Sequence, residues 1–270
     1  MTLPRWLRRL AAAAALVALA GCATVPAGAP ASARADPWEN WNRKVYAFND
    51  IVDRAVLKPV ATAYRDAVPE LVRTGIGNVL GNIGDVWSAA NHLLQGKLQS
   101  GVEMGFRVVT NSVFGIAGVF DIATPLGLTR RSEDFGQTLG RWGLGNGPYL
   151  VLPLLGPSTL RDTAGFLVDR QASVSNLPPT EQGRWAVTGL SLVDLRASLL
   201  STTKLIDDVA LDKYSFVRDG YLQRRRDALY DGAAPLESFD EEEPDAAKPA
   251  PAASAPTKPA TAPTAPVTPK

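Results

Sequence analysis

Ser158 and His92 are the residues from which an acyl-transfer site would have to be built, because His92 is the sole histidine in 270 residues. A serine nucleophile needs a base within hydrogen-bond reach. Gly156-Pro157-Ser158-Thr159 approaches the G-x-S-x-G elbow but lacks its second glycine. Ser158 or Thr159 is better suited to cap a helix running through Arg161. One histidine also excludes a multi-histidine metal site. The acidic pairs Glu133-Asp134 and Asp207-Asp208 are adjacent, so on a helix their side chains do not face each other. Gly75-Ile76-Gly77-Asn78-Val79-Leu80-Gly81 has one residue too many for a dinucleotide loop and follows no strand. No catalytic set emerges.

The chemistry that does stand out is a single thiol. Cys22, the only cysteine, ends Leu19-Ala20-Gly21-Cys22 behind Arg5, Arg8, Arg9 and an eleven-residue apolar run from Leu10 to Ala20. That order is the layout of a secretory signal, and the run is too short for a bilayer span of roughly 20 apolar residues. Leucine, two small residues and cysteine resemble the bacterial lipoprotein signal, in which the cysteine becomes the acylated first residue. The alternative is an ordinary signal peptide with a chance cysteine. Residue 23 is Ala rather than Asp, which in such lipoproteins implies delivery to the outer membrane. If Cys22 carries covalent acyl and diacylglyceryl lipid, no disulfide forms and the domain holds together by its core alone.

The ends differ from the middle. Residues 1–21 read as signal peptide and 22–35 as a flexible tether of Ala, Pro, Gly and Ser. Residues 237–270 begin with an acidic cluster and continue as Pro, Ala and Thr, a composition expected to stay disordered. That acidic run is a solvated spacer, or else a docking tail for a basic partner. The intervening 36–236 carry 21 basic and 21 acidic residues, so no basic face is implied and nucleic acid is an unfavoured partner. About 200 residues suffice for one domain with one core.

That domain opens with Asp36-Pro37-Trp38-Glu39, where aspartate can cap, proline suits the first helical position and Glu39 stands at the capping-box site. Trp41, Val45, Phe48, Val52 and Val56 follow at helical spacing, and Lys58-Pro59 is expected to end the helix. Leu98, Val102, Phe106, Val109 and Val113 form a second stripe. Ala186, Leu190, Val193, Ala197 and Leu200 form a third, and Tyr214, Val217 and Tyr221 open a fourth that ends near Arg224-Arg225-Arg226. Without sustained period-two alternation the chain reads as all α. Glycines cluster at 75–84 and 140–147, where they permit tight turns and close helix approach. The apolar run Tyr149 to Pro157 is either buried core or a segment lying in a membrane interface.

Three blocks then stand out in order: Asp36-Pro37-Trp38-Glu39-Asn40-Trp41-Asn42-Arg43 with Phe48-Asn49-Asp50; Asn91-His92-Leu93-Leu94-Gln95-Gly96-Lys97; and Glu133-Asp134-Phe135-Gly136-Gln137-Thr138-Leu139-Gly140 on through Gly147-Pro148-Tyr149 to Arg161-Asp162. Behind a lipoprotein signal, they resemble the VacJ/MlaA family of outer-membrane lipoproteins, and the likeness runs to about residue 230. The resemblance implies an all-helical ring set in the outer membrane around an amphipathic pore. Its expected work is removing misplaced phospholipids from the outer leaflet and passing them to a soluble periplasmic carrier of the MlaC kind. A trimeric porin is the expected neighbour. Polar groups in the third block, Asp134, Gln137, Arg141, Asn146 and Tyr149, are candidates for the lipid pathway, their other role being to cap helices and satisfy turns. A passive conduit of this kind needs no catalytic residue. Other readings are a structural or wall-binding lipoprotein and a periplasmic lipid hydrolase using Ser158 and His92.

Overall fold

The structure, a computed structural model, describes residues 35–234; the readings placed on the signal, on Cys22 and on the tail lie outside them. Among the described residues there are nine α-helices and one β-hairpin: α1 Glu39–Val52, α2 Lys58–Ala67, α3 Glu70–Leu94, α4 Leu98–Val113, α5 Phe135–Arg141, β1 Tyr149–Leu152, β2 Gly156–Thr159, α6 Leu160–Asp169, α7 Glu181–Ser198, α8 Leu200–Val209 and α9 Lys213–Leu229. The all-α reading holds, with the small hairpin as an addition. It takes in the apolar run and extends two residues past it: Tyr149 pairs with Thr159 and Leu152 with Gly156, while Leu154 and Leu155 stand exposed at the turn. Thr159 caps α6 by accepting from the Asp162 amide at 3.1 Å, as the sequence suggested.

Two local expectations are corrected. Asp36 does not cap α1. Its buried carboxylate accepts from Asn42 at 2.8 Å and from the Tyr214 hydroxyl, and Arg218 lies 3.5 Å away. Glu39 pairs with Arg43 at 2.7 Å, one turn on, in place of a capping box. Tertiary partners for a buried carboxylate outweigh a cap worth about 1 kcal/mol. Lys58-Pro59 does not end the helix either. A π-helical turn, Asp53–Leu57, carries α1 into α2, with Pro59 in the first turn of α2, where a missing N–H costs least. Arg196 of α7 fixes that turn through Asp53 at 2.7 and 2.8 Å.

The largest departure concerns direction. On α4 every member of the apolar stripe, Leu98, Val102, Phe106, Val109 and Val113, is exposed, whereas Gly101, Met104, Arg107 and Asn111 are buried. Trp41, Phe48 and Val56 likewise point outward from the first helical run, and only Val45 of that stripe is buried. The polar side of α3 (Asn82, Asp85, Ser88, Asn91, His92) turns in against α4. Apolar clusters remain, but they are small: Val45, Tyr149, Val151 and Tyr214 in one, Ala61, Ala197 and Leu200 in another. A single apolar core is therefore replaced by a largely polar interior under an apolar exterior, which suits surroundings other than water on part of the surface. No helix among the described residues is long and apolar enough to cross a membrane.

Close approach is built where the polar interior has to shut. A Cβ on Gly165 of α6 would stand 2.4 Å from the Gly136 backbone nitrogen of α5, so these helices cross at backbone contact. The segment after α4 winds back through left-handed residues, Ile116 at φ 52° and Ala117 at 53°, before Gly118.

Candidate functional site

Buried polar groups hold the interior together as linked clusters. In the first, Arg107 Nε donates to Asp85 at 3.0 Å, and its two Nη atoms reach Asp121 at 2.7 Å, Thr124 at 2.8 Å and the Leu128 carbonyl at 2.6 Å. Asn111 receives the Ile122 and Ala123 amides. The 114–130 segment is thus fastened to α3 and α4 by side chains, in place of a strand or helix ladder. Burial pushes the Asp121 carboxyl up, but bonds from Thr124, Arg107 and Asn111 outweigh it and hold it well below the ordinary carboxylate range.

In the second cluster Arg225 of α9 donates to Asp134 at 2.9 Å and to Asp162 at 2.7 and 2.9 Å, and the Tyr221 hydroxyl donates to Asp162 at 2.8 Å. Arg225 therefore turns inward, and its place near the end of α9 serves these carboxylates before it serves the helix dipole. Burial raises both carboxyls, yet Arg225 prevails and holds them below the ordinary carboxylate value. A third cluster joins Gln95 and Lys97 to Glu133 at 2.9 and 3.0 Å, with Thr138 donating to Asn91 at 2.7 Å.

The sequence candidates fall unequally among these. Asp134 caps α5 by accepting from the Gln137 amide at 2.8 Å, and Gln137 is buried beside it. Tyr149 is buried on β1, its ring edge-on to Tyr214 and Tyr221 and its hydroxyl without a partner; burial raises its pKa. Asp134, Gln137 and Tyr149 are brought into one linked interior through Arg225, Asp162 and Tyr221. Arg141 stands exposed, and Asn146 lies in the loop before β1, where its carbonyl accepts from the Arg161 amide at 3.1 Å. Ser158 and His92 do not form a pair. The serine hydroxyl meets Thr163 at 2.9 Å and the Thr159 carbonyl at 3.2 Å, while His92 Nε2 meets the Arg131 carbonyl at 3.1 Å.

Open space lies elsewhere, on two sides of α3. A cleft of about 680 Å³ runs between α3 and α7, lined by Glu70, Arg73, Gly77, Gly81, Arg130 and Asp194 among others. A groove of about 840 Å³ lies on the other side, lined by Leu71, Ile76, Val79, Val119, Phe120 and Leu190 among others. Thr74, Asn78 and Leu80 line both, so the cavities share one ridge of α3. Each has the volume of a small-molecule pocket. One is edged with charge and the other with hydrocarbon, an arrangement that accepts an amphiphile's two unlike parts side by side. The sequence reading singled out glycines at 75–84 for helix approach. Their further consequence is that Gly77 and Gly81, four residues apart, face the same cleft, a spacing visible in the sequence.

Residues 34–228 match the family model described as MlaA lipoprotein. The chain is 36% identical over 224 residues to "Intermembrane phospholipid transport system lipoprotein MlaA" of Escherichia coli (strain K12), covering 81% of this chain and 87% of the relative. The protein of that name from Haemophilus influenzae is 32% identical over 231 residues, 83% of this chain and 90% of its own. A solved structure described as "Structural basis for maintenance of bacterial outer membrane lipid asymmetry" aligns with TM-score 0.63 at 36% identity, covering 73% of this chain and 100% of its own. With the motifs, the inverted helices and these likenesses in agreement, the chain belongs to the MlaA lipoprotein family.

Proposed function

We propose that this protein serves intermembrane phospholipid transport, taking misplaced phospholipids from the outer leaflet of the outer membrane and passing them to a soluble periplasmic carrier. The observation that carries this reading is the inverted polarity of α3 and α4, with a charged cleft and an apolar groove on either side of one helix. A phospholipid has a charged head and apolar tails, and its route through a protein needs both kinds of wall. The exposed stripe on α4 fits a domain resting among acyl chains, with an acylated Cys22 as its anchor and a trimeric porin beside it. Movement from leaflet to carrier requires no catalytic group, and Ser158 and His92, each bonded to other partners, give the hydrolase reading no support.

The test is genetic. A clean in-frame deletion should leave phospholipid in the outer leaflet, accessible to an externally added phospholipase, and should make the envelope sensitive to detergent. An outer leaflet of unchanged composition would overturn the proposal.

A further inference from the structure

Arg130 and Asp194 enter the polar cleft from opposite walls, and each is held in place by a partner outside it. Arg130 Nε is tied to Asp85 at 3.0 Å, which leaves both Nη atoms over Gly81, 2.5 and 2.6 Å from where a Cβ would stand. Asp194 Oδ1 accepts from the Tyr64 hydroxyl at 2.9 Å, which leaves Oδ2 over Gly77, 3.4 Å from where a Cβ would stand. Gly77 and Gly81 are one turn apart on α3, about 6 Å along its axis, and one charge stands over each. No ion pair joins them.

Their polarity is also balanced by Glu70 and Arg73, which line the same cleft. Two cations and two anions make a poor trap for a purely anionic group and a good one for a zwitterion. A guanidinium presents paired donors suited to phosphate oxygens, and a carboxylate accepts from a primary ammonium. The apolar groove begins across the Thr74–Asn78 ridge, within reach of acyl chains joined to such a head.

Resting on the lipid-transport reading above, we propose that Arg130 and Asp194 form a head-group reader for a zwitterionic phospholipid. Arg130 takes the phosphate and Asp194 the ammonium, and Gly77 and Gly81 keep the space between them open. Selectivity then resides in this cleft, while the groove holds acyl chains without regard to the head.

The experiment mixes purified full-length protein with vesicles containing phosphatidylethanolamine, phosphatidylglycerol or diacylglycerol of identical acyl chains, and measures lipid captured per protein. The wild type should favour them in that order. Arg130→Gln should reduce the preference for phosphatidylglycerol over diacylglycerol about tenfold, the scale of one charge-assisted bond. Asp194→Asn, which keeps an acceptor for Tyr64, should remove the preference for phosphatidylethanolamine over phosphatidylglycerol. Gly81→Leu should reproduce Arg130→Gln while leaving the arginine in place, and it carries the test if Arg130→Gln fails to fold. Soluble phosphoethanolamine at equal concentration should displace little lipid; full displacement would make the free head group the ligand and overturn the proposal. Unchanged preferences in folded variants, or equal capture of all three lipids by the wild type, would overturn the reader and leave transport standing. A wild type that captures none would overturn the transport reading itself.

Discussion

Phe106→Ser separates a helix that faces acyl chains from one that faces a core. Phe106 sits mid-stripe on α4 and is 61% exposed, so of a side chain of about 200 Å², roughly 120 Å² meets the surroundings. At about 25 cal/mol per Å², that area contributes about 3 kcal/mol to membrane binding. The partition coefficient should therefore fall about 100-fold. Phenylalanine and serine have similar helix propensities, so α4 itself is little disturbed. The assay is vesicle flotation of full-length protein carrying Cys22→Ala, so that no lipid at that position masks the effect. Melting in detergent should shift little, because most of the ring faces away from protein. Asn111→Leu, on the opposite face, should do the reverse. It strands the Ile122 and Ala123 amides that Asn111 Oδ1 receives at 2.8 and 2.9 Å, at about 1–3 kcal/mol each, and leaves flotation unchanged. A large stability loss for Phe106→Ser with unaltered flotation would refute the outward orientation of α4.

Asn42→Ala should destabilise the domain by at least about 2 kcal/mol in denaturant melts, because Asn42 bonds both the Tyr149 carbonyl at 3.1 Å and the Val151 amide at 2.9 Å from a fully buried position. Gly165→Ala should cost about 1–3 kcal/mol, since its methyl would strike Gly136 backbone; Gly105→Ala, with open space around it, should be neutral or stabilising by up to about 1 kcal/mol. Acid should weaken the protein through Asp134 and Asp162. Burial pushes their pKa values up, but Arg225 outweighs it and holds them below the ordinary carboxylate value, so their contribution is present above that ordinary value and lost as pH falls through the depressed ones. Arg225→Met should flatten that acid slope in melts followed from pH 7 down to about pH 2, and an unchanged slope would remove Arg225 as its cause.

Helix positions were legible because the 3.6-residue period survives in either environment. The stripe from Leu98 to Val113 marks α4 at both ends. Direction was not legible, because a period identifies two unlike faces without saying which one meets the solvent, or what that solvent is. Asp36 misled for a related reason. Its spacing to Glu39 satisfies a local cap, but Tyr214 and Arg218, some 180 residues on, offer a buried carboxylate more. Pro59 misled because a π-helical turn absorbs a residue that would otherwise break the helix.

The site was half legible for the same physical reason. Polar residues gathered in the third block, Asp134 and Gln137 foremost, drew attention as pathway candidates, yet an inverted protein must spend many such residues on holding itself together. Arg225 and Tyr221 take up Asp134 and Asp162 in bonds of 2.7 to 2.9 Å, which leaves those carboxylates committed. A group available to cargo has to combine charge with a free edge. Arg130 and Asp194 meet that condition because each is fixed by one atom and open at another, and because glycine stands opposite. In a protein whose interior is largely polar, the absence of a side chain at Gly77 and Gly81 is therefore a sharper pointer to the ligand path than the presence of charge.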